Sequence, residues 1–178
     1  MSKQIAEPTI GAIVVFEGDG FLWRVLSTLL GWFYPEYNRF KPKPWHVGFI
    51  SRFTYKGWLV AEATGRGVEE NYLDLYDPRF YKLYEWLPSP PTPSEVDKFM
   101  SWRTGCKYDK WAYLWVTIAC LAQKICGVNI GRWTNNAYMC WELVEEFASC
   151  MGKPFCKTNR TITIVDIMEA LDGSDRKI

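Results

Sequence analysis

The sequence contains almost no histidine, and this scarcity limits its chemistry. His46 is the only histidine among 178 residues, so any mechanism that needs an imidazole must use it. The six cysteines include no Cys-x-x-Cys pair, and one histidine cannot complete a zinc site of the usual Cys/His spacing. We therefore expect no metal and no cofactor, and we expect most of the thiols to be reduced core residues.

The sequence also lacks an excess of charge and a long apolar run. The 21 basic and 20 acidic residues nearly cancel, so no overall field draws the chain to nucleic acid or to an anionic membrane. The longest apolar stretch, Trp111–Ala122, is far shorter than the roughly 20 residues of a transmembrane helix. The start of the chain has no apolar run of signal-peptide length before Gly11, which predicts a cytoplasmic location. Phage delivery or release by lysis are the other routes to a target.

What the chain does have is an apolar and aromatic composition, with 48% hydrophobic and 17% aromatic residues. This predicts one globular domain over residues 1–178. Short β-branched runs predict strands over residues 9–16, Trp45–Phe53, Trp58–Ala63 and 79–87. Helical periodicity predicts helices over residues 21–34, Ser94–Gly105, Trp111–Cys126, Cys140–Met151 and Ile164–Leu171, with Ser94 as the cap of the second. Because most strands precede most helices, we predict an α+β fold with one antiparallel sheet.

Cys140 lies in the first turn of a predicted amphipathic helix. Its apolar stripe is formed by Cys140, Leu143, Val144, Phe147 and Met151, and the glutamates 142, 145 and 146 lie away from it. Unpaired N–H groups and the helix dipole favour a thiolate at this position, where thiols have pKa values of about 3.5–7.5. A core cysteine on an apolar stripe is the alternative interpretation.

His46 begins a predicted strand, and Glu62 is a carboxylate among apolar residues on the next one. A symmetric loop over residues 54–57 pairs Phe53 with Trp58 and puts the two side chains on opposite faces. A three-residue loop followed by Gly57, or a bulge there, would instead pair Phe53 with Gly57 and Gly48 with Glu62, which brings Glu62 within reach of His46. Two unconnected surface residues are the structural alternative.

Five short motifs follow one another along the chain: GAIVVF, WHVGFI, LVAEATGRGV, GCKYD and YMCWELVEEF. Their order resembles the circularly permuted branch of the NlpC-type, papain-like cysteine hydrolases, a broad group that includes relatives of lecithin-retinol acyltransferase. The resemblance covers about residues 9–170. It implies a papain-like fold in permuted order, in which an antiparallel sheet packs against the helix that carries the nucleophile.

The resemblance also implies roles for individual residues. Cys140 matches the nucleophile, His46 the general base, and Glu62 the polar residue that orients the base. Tyr108, in Gly-x-x-Tyr-Asp, matches a tyrosine that lines the site or assists the oxyanion. The sequence departs from the pattern at Ala12, where an aspartate is usual, and at position 141, where tryptophan replaces a small residue.

The predicted function is therefore a cysteine hydrolase that cleaves an amide or related acyl bond through a Cys-His-Glu triad. Its substrate would be a peptide, peptidoglycan, or an acyl-amide or thioester, and a lipid acyltransferase or phospholipase-like enzyme is the alternative. From another class, a catalytically silent ligand-binding module would use an aromatic groove on the same fold. Trp45 and Trp141 are its candidate walls, with Trp32, Phe33, Tyr34 and Tyr37 nearby, although the many tryptophans could equally fill the core.

Overall fold

The structure is a computed structural model that describes residues 3–18, 28, 31–32, 35–40, 43–109, 118, 122, 126, 137–155 and 162–173. These residues form a mixed α+β fold with a six-stranded antiparallel sheet, a short parallel pair of strands and three helices. The strands are β1 Lys3–Ile5, β2 Ile13–Glu17, β3 Pro44–Thr54, β4 Gly57–Thr64, β5 Gly67–Tyr72, β6 Tyr81–Glu85, β7 Lys107–Tyr108 and β8 Ala137–Tyr138. The helices are α1 Pro93–Ser101, α2 Cys140–Cys150 and α3 Ile164–Leu171, with 3-10 turns at Pro35–Arg39, Leu73–Leu75 and Pro78–Phe80.

The predicted α+β class is confirmed, and so are the predicted strands at their centres. The large sheet has the order β1-β6-β2-β3-β4-β5. β2 begins at Ile13, later than predicted, because Gly11 adopts a left-handed φ of 82° in a turn closed by a hydrogen bond from Ala12 N–H to Thr9 O. The predicted helices over residues 21–34 and Trp111–Cys126 lie largely outside the described residues.

The sheet buries apolar side chains on both faces. One face packs against the helices, and we call this cluster the helix-side core; it includes Val47, Phe49, Phe99, Phe147 and Ile164. The opposite face carries a smaller cluster, the second core, which consists of Ala12, Val14, Phe16, Ile50, Val60, Leu73 and Leu83. Alternation along each strand explains the division, because neighbouring residues of a strand point to opposite faces.

The hairpin of β3 and β4 shifts its register once. Next to the turn, Phe53 pairs with Trp58, as a symmetric loop predicts. The register then shifts at Ser51, so that Gly48 pairs with Glu62 further along. The Ser51 hydroxyl donates to the carbonyl of Leu59 at 3.3 Å, which supports the extra residue on β3.

The bulge therefore occurs, but at a different place from the one expected. The predicted pairing of Phe53 with Gly57 is wrong, because Thr54 pairs with Gly57 across a tight turn. The Thr54 hydroxyl donates to Gly57 O at 3.0 Å and accepts from Lys56 N–H at 3.2 Å, which stabilises the short turn. The bulge at Ser51 has the same effect on the pairing of Gly48 with Glu62.

The three helices begin at well-defined caps. α1 is capped by Thr92, which forms a capping box with Glu95; the predicted cap at Ser94 is wrong because Pro93 already takes the first helical position. α2 begins at Cys140, as predicted, and Gly152 follows its end with a φ of 77°. Thr163 caps α3. None of the described helices is long and apolar enough to span a membrane.

The charged side of α2 differs from the prediction. Glu142 and Glu145 are buried rather than directed away from the core. Each carboxylate accepts a backbone N–H: Glu142 from Met139 at 3.0 Å, and Glu145 from Phe155 at 2.9 Å. These bonds offset the cost of burying the charges. Among the tryptophans considered for the core, Trp102 is 77% exposed and does not fill it.

Candidate active site

The predicted partnership of His46 and Glu62 is present in the structure. His46 lies near the start of β3 and Glu62 near the end of β4, so both occupy the same end of this antiparallel pair. Because Gly48 pairs with Glu62, the two side chains share the face of the second core. His46 Nε2 lies 2.6 Å from Glu62 Oε2, and both residues are buried.

Cys140 approaches the same imidazole from the helix side. It is the first residue of α2 and is only 1% exposed. Its sulfur and the His46 ring form a side-chain hydrogen bond. Since Nε2 faces Glu62, Nδ1 is the nitrogen left for the thiol. The three side chains therefore meet where the start of β3 and the end of β4 approach the start of α2.

The surroundings of His46 raise the pKa of its imidazole. Burial lowers the pKa of His46, but the charge of Cys140, its hydrogen bond and the Glu62 carboxylate together raise it to about 10. Burial likewise raises the pKa of Glu62, yet hydrogen bonds from His46, Tyr76 and Asn71 outweigh this and hold the pKa below its ordinary value. At neutral pH the imidazolium donates one N–H to Glu62 and the other to Cys140.

Two further residues contact Glu62 and were not predicted from the sequence. Asn71 Nδ2 donates to Glu62 Oε1 at 2.8 Å, and the Tyr76 hydroxyl donates to the same oxygen. Asn71 lies on β5 opposite Val60, on the face that carries Glu62. A buried carboxylate needs donors, and a polar residue on the adjoining strand was the available signal. Tyr76 follows a 3-10 turn, for which the sequence offered no such signal.

Aromatic rings surround the imidazole. Trp45 stacks on His46 with ring centroids 5.2 Å apart, and Phe16 lies 5.3 Å from the same ring. Trp45 is 42% exposed, whereas Trp141 is 5% exposed and packs in the helix-side core. Tyr37 is also fully buried. Of Trp45, Trp141 and Tyr37, only Trp45 is exposed enough to line the predicted groove.

Tyr108 lies beside the segment that leads into α2. It pairs with Tyr138 in the parallel ladder of β7 and β8, and Asp109 N–H donates to Tyr138 O at 3.2 Å. The Tyr108 side chain is half-buried and packs against the helix-side core. Tyr108 therefore lies beside Tyr138, which precedes Cys140 by two residues. Its predicted role toward an oxyanion stays a prediction.

A cavity lies elsewhere in the described part of the chain. It measures about 720 Å³ and lies near the other end of α2, where Cys150, Phe99 and Trp102 line it together with the proline-rich segment before α1. None of Cys140, His46 and Glu62 lines this cavity. Within the described ranges, no group of three metal-ligating side chains could hold a metal ion.

Chemically, the arrangement provides a nucleophile, a proton donor and an anion-binding N–H. The backbone N–H of Cys140 occupies the first helical position, where it has no acceptor within the helix. Such an N–H, at the positive end of a helix dipole, can donate to a developing oxyanion.

A scan of the chain against models of protein families gives no match, and a search of curated proteins gives none either.

Proposed function

We propose that the protein is a cysteine hydrolase that cleaves an amide or related acyl bond. Cys140 is the nucleophile, His46 the acid–base group, and Glu62 the residue that orients His46. The observation that carries the proposal is the contact of one imidazole with both partners. His46 lies 2.6 Å from Glu62 and hydrogen-bonds Cys140 at the start of α2.

The reaction proceeds through two tetrahedral intermediates. The Cys140 sulfur bonds to the substrate carbonyl carbon, and the electron pair moved onto oxygen accepts the Cys140 N–H. When this intermediate collapses, the bond to the leaving group breaks, and the leaving group takes a proton from His46 Nδ1. This step leaves a thioester on Cys140 and a neutral imidazole.

Water then resolves the thioester. Neutral His46 removes a proton from water as the oxygen attacks the acyl carbon. Collapse of the second intermediate breaks the carbon–sulfur bond, releases the carboxylic acid and restores the thiolate beside the imidazolium. Throughout, Glu62 accepts a hydrogen bond from the Nε2–H of His46 and maintains the ring orientation, as the acidic residue of a catalytic triad does.

The order of elements supports a permuted papain-like arrangement. β3 and β4, which carry His46 and Glu62, precede α2, which carries Cys140. The sheet packs against α2 through its helix-side face, with Phe49 and Phe147 stacked at 3.8 Å. On this reading the substrate acyl group enters beside the exposed indole of Trp45. Peptide, peptidoglycan and small acyl-amide or thioester substrates all present the carbonyl that this mechanism requires.

The proposal is tested by measuring the reactivity of the Cys140 thiol at neutral pH. An activated ester that acylates the sulfur gives a mass adduct at this position in the wild type and none in Cys140→Ser. Peptide-level mass spectrometry after iodoacetamide treatment adds a rate for each cysteine. Cys150, which is exposed at the far end of the same helix, is the internal reference.

We expect Cys140 to react with iodoacetamide faster than Cys150 at neutral pH, because Cys140 lies at the start of α2 beside the His46 imidazolium. Incubation with activated peptide esters, thioesters and lipid esters should then give an acyl adduct on Cys140 in the intact mass. If Cys140 reacts no faster than Cys150 and no adduct forms with any substrate, the catalytic proposal is wrong.

A further inference from the structure

We infer that Tyr76, together with Asn71, is a positioning residue of this site that fixes the Glu62 carboxylate toward His46. This inference depends on the proposed function and adds to it. Neither residue belongs to the motifs that carry the resemblance, and neither contacts the reacting sulfur. Their action would pass through Glu62 alone.

The two oxygens of Glu62 have separate partners. Oε2 lies 2.6 Å from His46 Nε2, while Oε1 accepts from Asn71 at 2.8 Å and from the Tyr76 hydroxyl. With Oε1 held on one side, the carboxylate plane cannot rotate without breaking two hydrogen bonds. Oε2 therefore stays directed at the imidazole, which is the orientation that the proposed mechanism needs.

Burial makes these donors energetically necessary. Glu62 is 1% exposed, and an ionised carboxylate at such a site is costly unless its oxygens are hydrogen-bonded. His46 alone satisfies one oxygen. The donors on Oε1 stabilise the anion, and the anion in turn stabilises the imidazolium that faces Cys140.

Of the two donors, Tyr76 acts more specifically on Glu62 than Asn71 does. Asn71 also hydrogen-bonds Glu69, which accepts from the Thr64 hydroxyl at 2.6 Å and pairs with Arg66 at 2.9 Å. Asn71 is thus shared between two carboxylates. The Tyr76 ring packs on Phe16 with centroids 4.7 Å apart, which holds its hydroxyl at Glu62.

The charged groups around Glu62 come from several elements. His46 on β3 and Glu69 on β5 face it, Arg66 lies in the preceding turn, and Cys140 reaches His46 from α2. Glu69 places a second negative charge opposite Glu62, but its ion pair with Arg66 offsets the repulsion between the two carboxylates. Loss of the Tyr76 hydroxyl would remove a stabilising donor and leave these charges in place.

The sole histidine of the chain allows a direct test by NMR. The ring resonances of His46 are followed against pH in the wild type, in Tyr76→Phe and in Tyr81→Phe. Tyr81 is a matched control because its ring also packs near Phe16, at 6.3 Å, and its pKa is shifted by burial alone. Removing its hydroxyl leaves the contacts of Glu62 unchanged.

We expect His46 to titrate near pH 10 in the wild type and in Tyr81→Phe. In Tyr76→Phe the midpoint should fall by about one unit, because a carboxylate with one donor fewer stabilises the imidazolium less well. The value of kcat/KM should fall about tenfold, and its alkaline limb should move to lower pH with the His46 midpoint. A role confined to packing would not move this midpoint.

The outcomes separate the two proposals. A wild-type His46 that titrates near its ordinary pKa of about 6.5 would overturn this inference, whereas the proposed function is decided by adduct formation on Cys140. A high wild-type midpoint that Tyr76→Phe leaves unchanged would overturn the role of Tyr76 alone. Should Tyr76→Phe not fold, Asn71→Ala serves in its place, with a smaller downward shift expected and an unchanged midpoint counting against the inference.

Discussion

The two faces of the large sheet are built on different principles. The helix-side core is made of apolar side chains, with Phe49, Phe99 and Phe147 in mutual ring contact. The second core is smaller, and the hydrogen-bonded pair of His46 and Glu62 lies on the same face at one end of the strands. Packing on the helix-side face stabilises the fold. The buried polar groups on the other face would carry the proposed reaction, and their burial costs desolvation free energy.

The difference implies that stability and activity can be separated by mutation. Substitutions in the helix-side core should lower stability and leave the site chemistry of folded molecules intact. Substitutions in the polar network should remove activity while the fold persists. Three predictions test this separation, in order of decreasing expected effect.

The largest effect is expected for Glu62→Gln, which keeps the size of the side chain and removes its charge. We expect kcat/KM to fall by about 10³–10⁴-fold, because the amide no longer stabilises the imidazolium and can present the wrong tautomer to it. This corresponds to about 4–5.5 kcal/mol in the activation barrier. The measurement is the initial rate on the best substrate found, per folded molecule.

Glu70→Gln is the matched control for this substitution. Glu70 lies on β5 next to Glu69 and pairs with Arg52 at 3.0 Å, on the face away from His46. Its loss should change the rate by less than about threefold, since exposed ion pairs contribute about 0.2–1 kcal/mol. Equal losses in both variants would show that the rate reports general damage to the sheet.

The next effect is expected in stability. Phe147→Ala removes a fully buried ring that stacks on Phe49 at 3.8 Å and contacts Phe99 at 5.4 Å. We expect the free energy of unfolding to fall by about 3–5 kcal/mol, from lost burial and from the cavity that remains. Denaturant unfolding measures this, and Phe53→Ala, at a 62% exposed position, should cost far less. A folded Phe147→Ala in which Cys140 no longer forms the acyl adduct would contradict the separation.

Much of this contrast was predictable from the sequence, and the reasons are physical. Alternation and helical periodicity are local, so the β3–β4 hairpin and the start of α2 at Cys140 were predicted correctly. The bulge was placed at Gly57 instead of Ser51, because strand pairing depends on the side chains of the partner strand and of the turn. The contact of Tyr76 with Glu62 was missed because it depends on a three-dimensional path through an irregular turn.

The smallest effect on stability is expected at Gly48, the glycine of β3 that pairs with Glu62. A Cβ at Gly48 would lie 2.7 Å from the carbonyl oxygen of Ala61 and 2.8 Å from Val60 Cγ1. Gly48→Ala should therefore cost about 1–3 kcal/mol of stability, because the clash with backbone cannot be relieved by a rotamer change. Gly65→Ala is the control, since nothing lies within 4 Å of the Cβ it would add.

Gly48→Ala should also affect the candidate site, because the added methyl would lie between β3 and β4, 3.4 Å from the Cβ of Glu62. Relief of the clash should move β4 away from β3 and lengthen the hydrogen bond between Glu62 and His46. We therefore expect a fall in the His46 midpoint, measured by NMR, together with the loss of stability seen in thermal unfolding. Loss of stability without a change at His46 would mean that the polar network adapts to the strand spacing and is less tightly coupled to the sheet than the geometry indicates.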